Sequence, residues 1–560
     1  MDLPAGALWD ISPGFCADAR HRWRRRPACV AMSVSTVIDR YWHTVRWLKP
    51  VQVYGRLRFR LARARPSLDA APQRRVAARD AWLSCSRSPT LVGPARLRLL
   101  GVERELGTAG DWNHGEYPRL WLYNAHYFDD LVADGHQERQ VWHVQLIDRW
   151  IRENPPGYGT GWEPYPTSLR LVNWVKWMIG QTSVSDTVVH SAAVQSRALR
   201  QRLEHHLLGN HLWANAKALV FSGAFFTGPE AASWLRTGLD ILSRELDEQV
   251  LADGGHFERS PMYHAIVAED VLDLIQLSMM FPSVVPIELL SRLNDVIGRM
   301  LAWLSTMSHP DGGISFFNDA ALGIAPDHQV LAVNAGALGV RVPTHAANHS
   351  TWLAASGFAR LEMPTAVLLA DVGSVGPSYL PGHAHAGTMS FELSVHGRRL
   401  LVNSGTSTYT PGLERHRQRG TAAHNTVMVD DADSSEVWGG FRVARRARVG
   451  EVRISKHGEE HVLTGSHDGY LRLPGRVTHH REWKLTTGRL TVTDTLEGQP
   501  RRAEARFHLA PGARLDWTVD GGEATLAPAT WHPCFGESVP TQVLVVRFCG
   551  ARASVSFRWD

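Results

Sequence analysis

The feature that most constrains the fold is a change of hydrophobic period near the middle of the chain. Between about residues 121 and 309, apolar residues recur every three or four positions, which is typical of amphipathic helices. After about residue 344 the period becomes two, in short runs of Val, Leu, Phe and Thr that Gly, Asp and Pro interrupt. The chain is therefore predicted to be an α+β multidomain protein, with helices first and sheets second.

Seven consecutive helices are predicted in the first part, and clusters of Pro, Gly, Asn and Asp separate them. They cover residues 141–152, 168–179, 188–208, 212–226, 231–251, 263–280 and 287–307. Helices joined by such loops form antiparallel hairpins. An (α/α) toroid is one way to close a layer of these hairpins.

The second part is predicted to be an antiparallel β-sandwich of two packed sheets. Its clearest hairpin runs from residue 389 through a glycine turn at 396–399 to residue 403, and another flanks Gly488. The predicted domains are a disordered or mis-started basic segment (1–33), an N-terminal arm and linker (34–80), the toroid (81–343) and the sandwich (344–560).

Composition describes an ordinary globular protein with a basic N-terminal region. The chain is 44% hydrophobic and 21% charged, which predicts a sizeable core. Residues 1–80 contain 16 Arg or Lys against 6 Asp or Glu, so the formal net charge of +5 originates there. We therefore expect no nucleic-acid partner for the main body. A basic patch that touches membrane or nucleic acid is the alternative to disorder for the first residues.

Cysteine content and hydropathy bear on the compartment. Five scattered cysteines indicate neither a disulfide framework nor a zinc ribbon. No run of about 18 apolar residues predicts a membrane span, and residues 1–31 lack the apolar stretch of a secretory signal. On these grounds the sequence predicts a cytoplasmic protein, and it leaves the oligomeric state open.

Two pairs of polar residues lie near predicted helix starts. Asn210 and His211 precede an Ala-rich helix, where an Asn cap beside a surface His is the simpler interpretation. Tyr263 and His264 lie where a loop enters a later helix, a position that also suits packing. Each pair is ambiguous in isolation.

A third group of polar residues flanks the predicted hairpin. His383 and His385 lie in a glycine-rich loop before it, and His424 follows it. Residues two apart share one side of an extended chain, so His383 and His385 could act together. A twist permitted by glycine could instead separate them. Imidazoles at such a position are candidates for proton transfer or metal binding.

Taken together, these motifs resemble the heparinase II/III-like polysaccharide lyases and their alginate lyase relatives. The resemblance depends on order and spacing: Asn-His at a helix start, Tyr-His about fifty residues later, His-x-His before a strand and Ala-His-Asn-Thr after it. It covers about residues 121–448, and motifs at 162–173 and 435–442 look like the version found in polysaccharide-biosynthesis clusters. It implies an (α/α) toroid followed by a β-sandwich, an acidic polysaccharide substrate and, by analogy, a periplasmic location.

The resemblance implies cleavage by β-elimination. Such a lyase removes the C5 proton beside a uronate carboxylate, stabilises the enolate-like intermediate and protonates the departing O4. Asn210 and His211 would hold the carboxylate. Tyr263 would transfer protons, with His383 as the partner acid or base and His264 orienting or assisting them.

Aromatic and polar residues of the first part are predicted to bind substrate, because such side chains stack on sugars and form hydrogen bonds with them. They are Asn124, His126, Tyr127, Trp162, Glu163, Tyr165 and Arg170. The alternative is that at least half of the aromatic residues pack helices together.

The resemblance also implies a zinc site, and no organic cofactor. His385 and His424 match two of its ligands, and Asn403 occupies the place of the third, which is an Asp in the family. An amide is a poorer ligand because it brings no negative charge. Gly387 also departs from the Asp that is common in the family. The alternative is a hydrogen-bonded polar cluster that fixes the loop carrying His383.

Two other functions fit the same sequence. Glu163, Asp253 and Glu258 could supply a glycosidase pair, since α/α toroids also host hydrolases. A non-catalytic glycan-binding or assembly factor in polysaccharide biosynthesis is the alternative from another class. The predicted function is a lyase that cleaves a uronate-containing polysaccharide by β-elimination and serves exopolysaccharide or capsule metabolism.

Overall fold

A computed structural model describes residues 34–61, 65–342 and 349–560, so the basic segment predicted at residues 1–33 lies outside the described residues. Helices occupy the first part of the chain and antiparallel strands the second, which confirms the predicted order. No described helix combines the length and the apolar character needed to traverse a bilayer.

The α-helices agree well with the predicted periodicity. They are α1 (Val34–Val45), α2 (Pro50–Leu61), α3 (Arg119–Ala125), α4 (Gln140–Glu153), α5 (Pro164–Ile179), α6 (Asp186–Gln201), α7 (Gly209–Phe225), α8 (Gly228–Gln249), α9 (Pro261–Met280), α10 (Ile287–Thr306), α11 (His328–Ala337) and α12 (Leu413–Arg419). The seven predicted helices correspond to α4 through α10. The largest difference is at α6, which ends at Gln201 because the chain then turns and reaches a left-handed backbone at Leu208.

Helix α7 is central to the toroid. It packs against α5, α6, α8 and α9. His211 is the one residue of α7 that is not buried. Gly223 and Gly238 allow α7 and α8 to approach closely, because a Cβ on either glycine would lie within 2.7 Å of the neighbouring helix. This packing holds the N-terminus of α7, with Asn210 and His211, in a fixed place.

The strands form three large sheets and two small ones within the described ranges. The strands are β1 (Leu91–Gly93), β2 (Arg96–Leu99), β3 (Val102–Glu105), β4 (Thr351–Leu353), β5 (Phe358–Met363), β6 (Ala366–Asp371), β7 (Phe391–Val395), β8 (Arg398–Leu401), β9 (Val427–Val429), β10 (Val437–Trp438), β11 (Arg442–Val443), β12 (Arg453–His457), β13 (Glu460–Tyr470), β14 (Val477–Thr486), β15 (Arg489–Glu497), β16 (Ala503–His508), β17 (Asp516–Asp520), β18 (Glu523–Trp531), β19 (Val539–Phe548) and β20 (Arg552–Arg558). The predicted hairpins are β7–β8 and β14–β15, and both pair antiparallel.

The sheet β4-β5-β6-β7-β8 joins the two parts of the protein. Its strands alternate faces, so Phe358 and Leu369 pack into the helical core while Ala359 and Leu368 pack into the sandwich core. The other large sheets run in the orders β12-β13-β14-β15-β20-β17 and β18-β19-β16-β9. The sandwich therefore has a third layer, covered by helices, that the prediction of two sheets did not include.

Helices α1 and α2 form an arm that contacts both parts. The ring of Tyr41 packs edge-on against Trp438 of the sandwich, with ring centroids 4.9 Å apart. The ring of Phe59 packs on His206 of the toroid at 4.3 Å. The arm therefore bridges the junction of the two parts.

Candidate active site

Loops from both parts of the protein converge at their junction. Tyr263 lies in the first turn of α9, and His383 lies in the loop between β6 and β7. Their rings stack with centroids 3.9 Å apart at an interplanar angle of 34°. The two residues predicted to transfer protons are therefore in contact, although 120 positions separate them in the sequence.

A buried carboxylate, Asp319, holds the histidine loop in place. It accepts hydrogen bonds from Nδ1 of His383 at 2.9 Å and from Nε2 of His385 at 2.8 Å. Arg415 donates to both of its oxygens, the second at 2.7 Å. Burial opposes its charge, but Arg415 and the two histidines outweigh burial and hold the pKa of Asp319 well below its usual range. Sequence reasoning missed Asp319, because it follows α10 in a loop without periodic signal.

The partner of Nδ1 determines what Nε2 of His383 can do. Because Asp319 accepts from Nδ1, the neutral ring carries its lone pair on Nε2. Nε2 lies 3.6 Å from Oε2 of Glu258, and the His383 side chain is 12% exposed. The backbone N–H of Asn210 binds the other oxygen of Glu258 at 3.2 Å. Burial raises the pKa of the Glu258 carboxyl. Nε2 is therefore a candidate proton acceptor.

The hydroxyl of Tyr263 is a candidate proton donor. It lies 3.2 Å from the hydroxyl of Tyr409, and burial, with Tyr409 beside it, raises the pKa of Tyr263 well above its usual value. The phenol is therefore neutral near pH 7. The guanidinium of Arg415 lies 4.9 Å from the centre of the Tyr409 ring. Tyr409 was also missed, since it lies between β8 and α12 with no motif around it.

Asn210 and His211 lie at the N-terminus of α7, facing the same junction. Nδ1 of His211 lies 3.2 Å from Glu204, and its ring packs on Tyr165 at 4.5 Å. Burial opposes the charge of His211, but the Glu204 carboxylate, together with Glu258 and Glu163, outweighs burial and raises the pKa of His211. The Asn210 side chain lies beside Tyr165 and partly opposes the rise in the pKa of the Tyr165 hydroxyl that burial causes. An imidazole whose protonated form is favoured and an amide thus lie side by side, as suits the binding of a carboxylate.

Gly209 allows this arrangement. Its φ of 54° is left-handed, and a Cβ there would lie 2.8 Å from Oε1 of Glu258. Only glycine lets the backbone before Asn210 approach the carboxylate so closely.

His264 has a structural role in the protein. It is fully buried, Nε2 lies 2.9 Å from the carbonyl of Met300, and Nδ1 accepts from the backbone N–H of His256. Burial lowers the pKa of His264 to about 4. Both nitrogens are occupied, so His264 orients the loop that carries Glu258 and does not itself face the junction.

Three of the seven residues predicted to bind substrate lie near His211 and Tyr263. Tyr165 packs on His211, and the ring of Tyr127 meets Tyr165 edge-on at 6.1 Å. Glu163 binds Arg119 at 2.6 Å and also contacts Tyr123. These side chains form one wall of the junction.

The structure places the remaining four elsewhere, which corrects the prediction for them. Arg170 is fully buried and donates to Gln195 and to the carbonyls of His126 and Gly161. His126 accepts from Trp150, and burial lowers its pKa to about 3. Trp162 is 7% exposed and donates to the carbonyl of Asn154, and Asn124 donates to Leu120 within its own helix. Helix packing, the alternative interpretation, therefore accounts for this group.

The histidines predicted to bind zinc face each other. Nδ1 of His385 lies 3.1 Å from Nε2 of His424. Nε2 of His385 donates to Asp319, and Nδ1 of His424 donates to the carbonyl of Gly420 at 2.8 Å. Two lone pairs therefore point at each other. Burial lowers the pKa of His385 to about 4 and that of His424 to about 3, which opposes a proton between them. A cation between the rings fits this arrangement.

Asn403, which was predicted to be the third metal ligand, already has another hydrogen-bond partner. Its Oδ1 already accepts from the backbone N–H of Asn425 at 3.0 Å, and its Nδ2 has no partner. In the part of the chain that the structure describes, no group of three or more His, Cys, Asp or Glu could hold a metal ion. A Cβ at Gly387 would lie 2.8 Å from the His424 ring, so an Asp there would displace this histidine. Of the three predicted ligands, only the imidazoles of His385 and His424 are therefore arranged to bind a metal ion.

The carboxylates considered for hydrolysis are mostly occupied. Asp253 accepts from the backbone and hydroxyl of Ser356, at 2.8 and 2.9 Å, and so joins the toroid to the sandwich. Glu163 is bound by Arg119. Glu258 alone reaches His383, and one available carboxyl group does not make the pair that glycoside hydrolysis needs.

Comparison with known proteins agrees with this architecture. The family described as Heparinase II/III N-terminus matches residues 126–331, and Heparinase II/III-like, C-terminal matches residues 345–551. A crystal structure of heparinase III aligns with a TM-score of 0.64 and 17% identity, covering 80% of this chain and 79% of that one. At this identity the likeness shows a shared fold.

Two curated relatives differ in how much they share. A heparin-sulfate lyase of Bacteroides stercoris is 29% identical over 247 residues, which cover 39% of this chain and 35% of that protein. FtsZ-localized protein C of Caulobacter vibrioides is 27% identical over 460 residues, 76% of each protein. The chain thus spans about a third of the first relative's length.

The fold and the site define a protein in which a helical toroid precedes a β-sandwich, with a tyrosine–histidine pair at the junction of the two parts. Both halves of one family are matched, in order, across most of the chain. The chain belongs to the heparinase II/III-like family.

Proposed function

We propose that the protein is a polysaccharide lyase that cleaves an acidic, uronate-containing polysaccharide by β-elimination. The observation that carries the proposal is the stacked pair of a phenol, Tyr263, and an imidazole, His383, whose Nδ1 binds Asp319 and whose Nε2 therefore carries the lone pair. His211, whose protonated form is favoured, lies at the same junction. The heparin-sulfate lyase relative supports the substrate class. The motifs at residues 162–173 and 435–442 support a link to exopolysaccharide metabolism.

In this mechanism each group has one task. His211 and Asn210 bind the uronate carboxylate, and the imidazolium stabilises the negative charge that develops as the enolate forms. Nε2 of His383 accepts the C5 proton, while Asp319 stabilises the resulting imidazolium. The hydroxyl of Tyr263 donates its proton to the departing O4, and the C4–O4 bond breaks to leave a C4–C5 double bond.

A panel of uronate polymers, including heparan sulfate, tests the proposal. Elimination produces a 4,5-unsaturated uronate, so we expect near-ultraviolet absorbance to rise together with new reducing ends. Reducing ends without that absorbance would indicate hydrolysis instead.

A non-catalytic glycan-binding or assembly factor is the second candidate. It is favoured by the relative that covers most of both chains, because that protein is named for localisation with FtsZ and not for an activity. Glycan binding without absorbance or reducing ends across the panel would support this candidate.

The Glu204 carboxylate is expected to set the pH range of activity. It raises the pKa of His211, so the imidazolium persists above its ordinary pKa and is lost as pH rises through the raised value. In Glu204→Gln the cation disappears at lower pH, so the alkaline limb of kcat/KM should move to lower pH. The control is Glu230→Gln, which removes an ion pair with Arg197 elsewhere on the toroid. If the pH dependence of kcat/KM were unchanged in Glu204→Gln, the charge of His211 would not be needed to bind the substrate carboxylate.

We propose one zinc ion between His385 and His424, with a structural role. When bound, the ion would neutralise the two facing lone pairs and stiffen the loop that carries His383. Metal analysis of the purified protein should find about one zinc per chain, and His424→Ala should lose it and unfold at lower temperature. A metal-free protein with an unchanged melting temperature in His424→Ala would favour the hydrogen-bonded cluster.

A further inference from the structure

Helices α1 and α2 of the arm concentrate exposed apolar side chains on the outside of the protein. Of the 21 large hydrophobic residues that are exposed in the described ranges, nine belong to residues 37–61. They are Val37, Ile38, Trp42, Val45, Trp47, Val53, Tyr54, Leu57 and Leu61. Single exposed apolar residues are normal on a protein surface, whereas a cluster of them marks an interaction site.

The exposed face of α2 is apolar in the middle and cationic at both edges. At about 100° per residue, the side chains follow one another around the helix in a definite order. Across the exposed face this order is Arg60, Val53, Leu57, Leu61, Tyr54 and Arg58. Apolar residues flanked by arginines are typical of a helix that lies in a membrane interface.

Helix α1 carries a matching stripe. Ile38, Trp42 and Val45 are spaced by four and three residues, so they share one face, and exposed Arg46 follows them. Outside these stripes, α1 contacts the protein body through Tyr41 and Thr44, and α2 contacts it through Phe59. The stripes therefore point away from the protein.

The charge of the arm selects the partner. Residues 37–61 contain six Arg or Lys and one acidic residue, Asp39, which Arg445 binds. Arg46, Arg58 and Arg60 are exposed and form no ion pair with any residue that the structure describes. A nucleic acid would engage these cations but leave the aliphatic stripes in water. A second copy of the arm would bring like charges together. Anionic lipid satisfies both the cations and the apolar stripes.

We propose that α1 and α2 form a docking surface for the headgroup region of an anionic phospholipid bilayer. The apolar stripes enter the boundary between headgroups and acyl chains, while the arginines bind lipid phosphates. This proposal does not depend on the proposed lyase activity, because none of these side chains belongs to the site at the junction.

Vesicle flotation of the full chain tests the surface. We expect binding to vesicles of phosphatidylcholine mixed with phosphatidylglycerol, little binding to phosphatidylcholine alone, and weakening by salt. The double variant Trp42→Glu, Leu57→Glu should lower binding at least about tenfold, since burying even one such side chain is worth a factor of that order. The double variant Arg58→Ala, Arg60→Ala should bind more weakly, and its binding should depend less on the salt concentration.

The control is Val141→Glu, Val144→Glu, which places the same charges on exposed apolar positions of α4, 67% and 42% exposed. It should bind like the parent, and equal melting temperatures establish that all variants fold. If the unsubstituted protein did not bind anionic vesicles, the proposal would be refuted. Undiminished binding by the Trp42, Leu57 variant would assign binding to another segment, such as residues 1–33. A dimer that this variant dissociates would make the face a contact between copies.

Discussion

Replacing Tyr263 with phenylalanine is expected to lower kcat for elimination by about 10²- to 10⁴-fold, the usual contribution of a positioned acid or base. The substitution removes only the hydroxyl, so the ring can keep its 3.9 Å stacking on His383. The leaving O4 then lacks its proton donor. Initial rates from product absorbance, with glycan binding measured separately, give the result. Binding should remain close to that of the parent.

The matched control is Tyr158→Phe, since Tyr158 is 70% exposed and lies in the loop before α5. It should retain full activity. Tyr409→Phe tests the neighbouring hydroxyl and should reduce kcat less than Tyr263→Phe, because Tyr409 reaches His383 only at a ring distance of 5.9 Å. Full activity in Tyr263→Phe would remove this residue from the mechanism.

Replacing Asp319 with asparagine is expected to lower both stability and activity. The change leaves the fully buried Arg415 without its carboxylate, and breaking a buried ion pair in this way costs about 3–5 kcal/mol. The change also removes the carboxylate oxygen that accepts from Nδ1–H of His383, so the lone pair of the ring is no longer held on Nε2. We therefore expect kcat to fall by about 10²- to 10⁴-fold. Thermal unfolding and single-turnover rates measure the two effects.

Asp247→Asn is the control for the ion pair, because Asp247 binds Arg292 at the surface and its side chain is 77% exposed. Exposed pairs contribute about 0–1 kcal/mol, so little change is expected. Adding Arg415→Met to Asp319→Asn should restore part of the stability, since no buried charge is then left unpaired, but not the activity. Equal stability of Asp319→Asn and the parent would show that Asp319 is not the anchor of this loop.

The fold was predictable because the hydrophobic period records the burial of each element. Helices α4, α8 and α10 repeat every three or four residues because each buries one face against its neighbours, whereas α7 is buried on almost all sides. In β5, by contrast, Phe358 and Ala359 alternate between two cores. The third sheet layer was not predicted, since a strand buried on both faces shows no polar side that would locate its neighbours.

The site was predictable where a motif defines it and not where single residues complete it. Asn210, Tyr263 and His383 belong to recurring patterns, whereas Asp319 and Tyr409 occur in loops whose paths depend on the packed domains. The sequence could not tell that His126 and Arg170 are buried. Polar residues among tryptophans look the same whether they face a sugar or satisfy backbone carbonyls in the core, as these do.

The spacing of His383 and His385 left open whether they act together or apart. Both prove to bind Asp319, one through each carboxylate oxygen, while their remaining nitrogens face different neighbours. They share one anchor and differ in task. Because the Asp319 carboxylate has two oxygens, each histidine binds a different one, and their remaining nitrogens are directed to different neighbours.

Asp319 has a consequence for how this family can be recombined. It belongs to the helical family segment that the match places at residues 126–331, but its three ligating side chains lie in the segment at 345–551. Neither half alone therefore contains both the aspartate and the side chains that bind it. In a chimera that joins this toroid to another sandwich, the counterpart of His383 would keep its position only if that sandwich also supplied an arginine and two imidazoles to Asp319.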